Sequence, residues 1–549
     1  MEHLSHKRKL TIMMAIIAAM FFSAINQTIV GTALPRIIAK LGGMDYYTWV
    51  ITIYMLTSTI ATILVGKLSD IYGRKPFILS GIIFFMIGAF LSGTSADIIQ
   101  LIIYRGIQGI GAGIIMATAF TAVGDLFAPR ERGKWTGVMT AVFGFSSVIG
   151  PALGGYIVDH MDWKWVFWIF LPLGIVAFMM ILILFPKVER KQSESIDYAG
   201  SLFLTLTIVP LLLAFSWAGT QYAWDSPQII LLFAGTLVSL LIFLVVQTRV
   251  KSPVLPLSLF KNGIVTISNV IGFLMNAGMM GALIYIPFFV QGVMGISPTY
   301  SGYVTMPMSI FMVISSAISG QLITKTGKYK RFALAGMPIM ILGMVIMSFM
   351  DSVWMAVVSM IVFGFGLGLG MPVFTLAAQN AVPPQQLGVV TASSQLFRNL
   401  GGTIGIAVMG TIMSSQITSN LEKAAASGKM VDLSQLDPKV AEQLQAFHNP
   451  QMLLDQPKLE QIHQSMPEAL QSIFTQMIDM LRDALSSSLS TVFLSGAALL
   501  AVALVLAFFL KEIPLRMSSR ASSAQEDGAS AGQTGDEPAK QVLLEQTAE

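Results

Sequence analysis

Apolar residues in this chain come in about fourteen runs of roughly twenty, separated by short polar breaks. They lie near 11–34, 47–66, 77–95, 98–123, 135–158, 165–186, 198–217, 228–247, 264–290, 300–323, 332–350, 354–378, 389–413 and 488–510. A helix needs about 20 apolar residues to cross the hydrocarbon core of a bilayer. In lipid each backbone N–H and C=O must be satisfied within the structure, so these runs predict spanning helices. The stretch 414–487 breaks the rhythm: it is long, polar and Gln-rich, with apolar residues at helical spacing (Leu436, Val440, Leu444; Ile473, Met477, Met480, Leu481). It predicts amphipathic helices on the outer face that gate or merely cap the exit. The first run is too long for a secretory signal and lacks a small-residue cleavage site, so it reads as the first span. From about 517 the chain is rich in Ser, Ala, Gly, Gln and acidic residues and predicts a disordered tail.

The polar breaks set the orientation. With the N-terminus inside, the inner segments hold Lys7, Arg8, Lys9, Lys67, Arg74, Lys75, Arg130, Arg132, Lys134, Lys187, Arg190, Lys191, Arg249, Lys251, Lys261, Lys325, Lys328, Lys330 and Arg331; the short outer loops hold only Arg36, Lys40 and Lys164. Lys and Arg accumulate on the cytoplasmic side, so both termini are expected inside. The same asymmetry accounts for the net charge of +4 and requires no nucleic-acid partner.

A repeat organises the spans. Gly66-Lys-Leu-Ser-Asp70-Ile-Tyr-Gly73-Arg74-Lys75-Pro-Phe77 returns as Gly320-Gln-Leu-Ile-Thr324-Lys-Thr-Gly327-Lys328-Tyr-Lys330-Arg-Phe332, about 255 residues later. Gly109, Gly111 and Gly113 return as Gly364, Gly366 and Gly368, and Pro129-Arg-Glu-Arg-Gly133 as Pro384-Gln-Gln-Leu-Gly388. The offset carries the loop after span 2 onto the loop after span 10, which is eight spans. Two six-helix bundles with two inserted helices give that spacing. The expected architecture is therefore an all-α membrane protein: a bundle over 1–192, two inserted spans over 193–250, a second bundle over 251–513 carrying the outer loop 414–487, and a tail over 514–549. Duplicated membrane domains commonly carry solutes through the interface of their halves.

Composition narrows the chemistry. The chain is 54% hydrophobic and 11% charged, with a mean hydropathy of +0.72. It has no Cys, hence neither disulfides nor a thiolate metal site. His3, His6, His160, His448 and His463 show no metal-ligand spacing, and no span carries a nucleophile–base or paired His/acid set, so neither an enzyme nor a metal site is expected. The 35 Met, 34 Phe and 8 Trp could line an adaptable cavity, although most will be lipid-facing or core residues.

Several motifs carry a resemblance. Gly66-x-Leu-x-Asp70-x-x-Gly73-Arg74-Lys75 resembles the loop motif of the major facilitator superfamily, and Leu101-x-x-x-Arg105-x-x-Gln108-Gly109-x-Gly111 its fourth-helix motif. Gly137, Ser146, Gly150, Pro151, Gly154 and Gly155 resemble the fifth-helix antiporter motif, with Ser146 in place of a glycine. Ala24-Ile-Asn26-Gln27-Thr-Ile-Val-Gly31-Thr-Ala-Leu-Pro35 resembles the first helix of the 14-span drug:proton antiporters of EmrB/QacA type. The likeness implies a multi-pass, bacterial plasma-membrane exporter of amphipathic small molecules. No cofactor is implied, and the proton gradient would supply the energy. The physics agrees for the loop: Gly66 allows close helix approach, Asp70 can cap or pair with a neighbouring helix end, and Arg74 and Lys75 are expected at the cytoplasmic surface. With Asp125 and Gly73, these residues would form a cytoplasmic gate. The second copy has Thr324 where the first has Asp70, so the latch should be strong on one side only.

The departure at Asn26 matters most, because many members of that family carry an Asp there. No Asp or Glu lies well inside any predicted span. A proton-coupled pump needs a titratable group, and Asn cannot titrate. At 1.5 Å per residue, Asn26 and Arg105 lie roughly 13 and 11 Å below the same outer end, which permits contact. Coupling could run through an end-of-helix acid such as Asp70 or Asp125, be absent, or be blocked by the residue at 26. Substrate contacts are expected from Asn26, Gln27 and Arg105 in the first half and Asn269, Asn276, Gln395 and Arg398 in the second, since polar groups at depth are costly. The rival readings are an uncoupled exporter or facilitator of one lipid, anion or metabolite, and a non-transporting membrane scaffold.

Overall fold

The computed structural model describes residues 5–41, 47–186, 197–219, 221–296, 298–426, 453, 456–465 and 468–515 of the 549. The first half comprises α1 (His6–Leu41), α2 (Tyr47–Tyr72), α3 (Arg74–Gly93), α4 (Ile98–Leu126), α5 (Pro129–His160), the single turn α6 (Trp165–Trp168) and α7 (Leu171–Leu184). Two helices follow, α8 (Tyr198–Trp217) and α9 (Pro227–Arg249). The second half comprises α10 (Gly263–Pro287, extended by a π-helical turn, Phe288–Val293), α11 (Pro298–Thr326), α12 (Lys330–Ser348), α13 (Val353–Asn380), α14 (Leu387–Ala426), α15 (Gln456–Ser465) and α16 (Glu468–Phe509). Among the described residues thirteen of these segments are long and apolar enough to span a bilayer, and the 32-residue α5 packs among them against α1 and α11. The described residues contain no strand.

Each half has its own apolar core. The first is built on Ile16, Phe22, Ile82, Phe85, Ala119 and Ile181. The second is rich in methionine: Met337, Met340, Met344, Met347 and Met360 surround Phe363 and Phe493. Glycines set the spacing, and the repeat extends to their packing partners. Gly88 rests on Gln108 as Gly343 rests on Phe363; Gly109 rests on Tyr54 as Gly364 rests on Met308; Gly113 rests on Ser58 as Gly368 rests on Met312. Without a hydrophobic drive between helices in lipid, close backbone approach at small residues supplies the contact energy.

The inserted pair α8–α9 packs on α2 and α14, where Leu204, Ile208 and Leu212 join Ile63, Val390 and Leu396. Its cytoplasmic end is tied by Asp197. That buried carboxylate caps α8 at Gly200 N (2.7 Å), and it accepts from Gln247 Nε2 (2.7 Å) and Val254 N (3.2 Å).

The region 414–487 departs from expectation. Much of it continues the flanking spans. α14 is 40 residues long and α16 is 42. At 1.5 Å per residue each reaches about 60 Å, twice the thickness of the hydrocarbon core. The stripe at Ile473–Leu481 thus begins the last span, and Phe474, Met477, Ile478 and Leu481 are buried with Leu453 and Leu459 in the core of the second half. Sequence periodicity could not separate a free amphipathic helix from the capped end of a long one. Leu436, Val440 and Leu444, and the tail beyond 515, lie outside the described residues.

Gly113→Val should abolish a monodisperse peak in detergent size-exclusion, because a Cβ there collides with the Ser58 carbonyl and forces α2 from α4. Gly302→Ala, with nothing within 4 Å, should elute like the parent. Equal behaviour of the two variants would refute this packing account.

Candidate functional site

The halves meet where α2 crosses α14 and α5 crosses α11. The repeat relates the two crossings. Gly66 lies against Gly388 and Ala392, and Gly320 lies against Gly133 and Lys134. A latch is built on the first crossing. α2 ends at Tyr72, and Gly73 turns the chain into α3 with φ 86°, a conformation L side chains rarely adopt. This turn directs Arg74 back onto Asp70, with which it pairs directly, while donating to Ser69 Oγ (2.6 Å) and Asp125 Oδ2 (3.0 Å). Asp70 reaches across to the other half. Its two oxygens accept from Gly388 N (3.1 Å) and Val389 N (3.2 Å), the orphan donors at the start of α14. A carboxylate at a helix N-terminus also meets the positive end of the helix dipole. Gly388 leaves the space, since a Cβ there would collide with the Asp70 carboxylate.

Arg74 is not at the surface as expected: it is 4% exposed, because two carboxylates and Ser69 compensate its burial. Lys75 reaches the C-terminal carbonyls of α7, Leu182 O and Phe185 O, both at 2.7 Å. Lys330, its repeat counterpart, does the same for α16 through Phe508 O at 2.8 Å.

The second copy of the latch is neutral. Thr324, Tyr329 and Asn380 stand where the first copy has Asp70, Arg74 and Asp125. Two of them hold the segment that follows α16: Tyr329 OH accepts from Ile513 N (2.9 Å), and Asn380 Nδ2 donates to Ile513 O (3.3 Å). Burial pushes the Tyr329 phenol up, so it stays uncharged at physiological pH. Gly327, with φ 71°, makes the equivalent turn to Gly73.

α5 carries the glycine motif into both neighbours. Gly137 meets α11, where Ser316 Oγ donates to Gly137 O at 3.1 Å. Gly150 meets Thr28 of α1, whose hydroxyl donates to Ser146 O at 2.9 Å. Gly154 is buried, and α5 runs unbroken through Pro151 and Gly155.

The expected cavity residues separate into three groups. Asn26, Arg105 and Gln108 form a closed polar cluster inside the first half. Arg105 Nη1 donates to Gln108 Oε1 (2.7 Å) and Asn26 Oδ1 (3.4 Å), and Gln108 Nε2 donates to Asn26 Oδ1 (2.9 Å). The guanidinium lies 4.1 Å from the Tyr54 ring centroid, a cation–π arrangement. Arg105 is 1% exposed and does not face a cavity, contrary to expectation. Gln108 completes the cluster, and its place in the fourth-helix motif is its only signal in the sequence. Asn26 Nδ2 is left buried without a partner. In the second half Met360 and Phe363 replace Arg105 and Gln108.

Asn269 is likewise buried and held by Ser393 (3.0 Å) and Ser394 (2.8 Å). Gln27 is exposed and Gln395 half-buried. Asn276 and Arg398 line a crevice, shared with Ser268, Met275, Met371 and Phe374 between α10, α13 and α14. Its free volume of about 20 Å³ holds a water or two, not a drug-sized molecule.

Comparison with known proteins agrees with this architecture. Residues 16–406 match the profile of the Major Facilitator Superfamily. The chain is 40% identical over 528 residues to the multidrug transporter protein MdtP of Bacillus subtilis (strain 168), covering 95% of this chain and 96% of that protein. It is 36% identical over 422 residues to multidrug resistance protein 3 of the same organism, covering 76% and 82%. Among solved structures, the human organic anion transporter MFSD10 superposes with a TM-score of 0.58 at 14% identity, over 91% of this chain and 99% of that one. The proton:xylose symporter XylE gives 0.55 at 13% identity, over 76% and 91%. Duplicated halves, a latch across their cytoplasmic ends and a family match over most of the sequence lead to one conclusion: this chain belongs to the Major Facilitator Superfamily.

Proposed function

We propose that the chain is a plasma-membrane exporter of amphipathic small molecules, working by alternating access and driven by the proton gradient, with Asp70 as the titrating member of its cytoplasmic latch. The observation that carries this reading is that Asp70 alone of the latch acids bonds the opposite half. Asp125 contacts Arg74 within its own half. A charge-assisted hydrogen bond contributes about 1.5–3 kcal/mol. Protonating Asp70 weakens two of these and its ion pair together. Inverting a two-state population from 1:99 to 99:1 takes about 5.5 kcal/mol, so one proton here is of the right order to unlatch the halves. The latch holds while Asp70 is ionised, loosens when it takes a proton, and re-forms once the proton leaves to the cytoplasm. Cargo would travel between the halves while one end is shut. The named relatives, a multidrug transporter and a multidrug resistance protein, support a range of small-molecule drugs as cargo.

The uncoupled facilitator keeps one supporting observation: Asn26, which cannot titrate, stands beside Arg105. Dye accumulation in inverted vesicles separates the two. Under the exporter reading the parent should concentrate dye only with an imposed gradient, and Asp70→Asn should lose at least about tenfold of that accumulation. An Asp70→Asn variant as active and as gradient-dependent as the parent would exclude Asp70; equilibration by the parent regardless of the gradient would favour the facilitator.

Asn26→Asp should raise the melting temperature in detergent by about 1–3 °C at neutral pH, because it replaces an unpartnered buried N–H with a counter-ion for Arg105. A lowered melting temperature would refute that account of the cluster.

A further inference from the structure

We propose that Arg398 is the anion-recognising residue of the export path, so that the preferred cargo is an amphipathic molecule bearing one anionic group. The inference deepens the exporter reading and rests on it. Among the described residues two arginines, Arg105 and Arg398, sit well inside spanning helices, and they are treated differently. Arg105 is enclosed by Asn26, Gln108, the Val50 carbonyl and the Tyr54 ring. Arg398, eleven residues into α14, lies about 16 Å from the cytoplasmic start of that helix. Among the described residues its guanidinium has no carboxylate and no hydrogen-bond acceptor. Its one described charge-stabilising neighbour is the Phe120 ring, 5.8 Å away on α4 of the opposite half.

The local structure keeps that cation in place. Its stem lies along Gly272, where a Cβ would come within 3.3 Å of Arg398 Cγ. Asn276 Nδ2 donates to the Arg398 carbonyl at 2.7 Å, fixing the backbone from α10. The guanidinium borders the crevice, whose walls are Met275, Met279, Met371 and Phe374, and Ser268 Oγ there is buried without a partner. A cation in the hydrocarbon region costs about 2.5–3.5 kcal/mol on insertion scales and is retained where it does something. Here an unspent planar fork of donors adjoins a flexible, polarisable wall. A carboxylate or sulfonate fits the fork in two-pronged fashion, and an apolar body fits the wall. The crevice is too small for such a body as the halves now sit, so binding would go with their separation at this point, where Arg398 already contacts the opposite half through Phe120.

The test uses two fluorescent probes with one ring system: 8-anilinonaphthalene-1-sulfonate, an anion, and N-phenyl-1-naphthylamine, which lacks the sulfonate. Binding is measured on full-length protein in nanodiscs, with empty nanodiscs subtracted. The parent should prefer the anion. The ratio of the two affinities should fall about tenfold or more in Arg398→Met, the loss of one charge-assisted hydrogen bond, and should largely persist in Arg398→Lys. Should Arg398→Met not fold, Arg398→Gln carries the same expectation. No preference in the parent, or an unchanged ratio in the uncharged variant, overturns the assignment. Uptake of both probes into inverted vesicles separates this from the parent reading. Transport of the neutral probe with no anion preference sinks only the anion assignment, while transport of neither sinks the exporter reading and the cargo class with it.

Discussion

A helix begins with backbone N–H groups that no residue of its own turn can accept, and in this protein the acceptor for α14 comes from the other half of the molecule. Asp70 supplies both oxygens, to Gly388 N and Val389 N. That arrangement needs several conditions at once. Gly66 and Gly388 must lack side chains so that α2 can touch α14. Gly73 must take a positive φ to bring Arg74 back onto the carboxylate. Ser69 and Asp125 must share the guanidinium, or a buried cation would be left half-paired. The contact is therefore strong when complete and poor when any part leaves, which is what a two-position element requires.

The repeat explains why only one side behaves this way. Both crossings use paired glycines, Gly66 with Gly388 and Gly320 with Gly133. At the second, Thr324 cannot serve as a charged cap, and its hydroxyl turns to Gly320 O of its own helix. The Tyr329 and Asn380 positions hold residues of the C-terminal segment instead of a partner half. The two copies thus share the geometry and differ in the charge. Under the proposed mechanism the first crossing responds to a proton, whereas Thr324, Tyr329 and Asn380 at the second carry no charge that could respond.

The sequence revealed much of this because membrane constraints are local. Spans, orientation and repeat follow from hydropathy, Lys/Arg placement and glycine spacing, each written along the chain. Depth arithmetic brought Asn26 beside Arg105, and the pairing is real. What it could not show was closure. Whether an arginine at depth faces water or a shell of neighbours depends on Gln108, Tyr54 and the Val50 carbonyl meeting it from two helices, and only the fold says so. Arg74 misled for the same reason: next to Lys75 it reads as a surface anchor, and only Asp125 of α4, 51 residues on, takes it inside. The stripe before the last span misled differently, since an amphipathic helix and the capped extension of a spanning helix share one period.

The placement of charge constrains how energy and cargo can be linked. In a pump with an acid in its cavity, proton and cationic drug can exclude each other by competing for one carboxylate. No described carboxylate borders the crevice here, and the first-helix position that would hold one is Asn26, sealed against Arg105 and Gln108. Asp70 and Arg398 both act on α14, ten residues apart: Asp70 at its first N–H groups, Arg398 from its side. At 1.5 Å per residue that is about 15 Å, too far for direct competition yet within one rigid element. Under the proposed exchange, proton and solute would therefore communicate by biasing the position of α14. Such coupling is reciprocal in binding free energy: a solute that favours the separated halves must raise the proton affinity of Asp70 by the same factor that the proton raises the affinity for the solute.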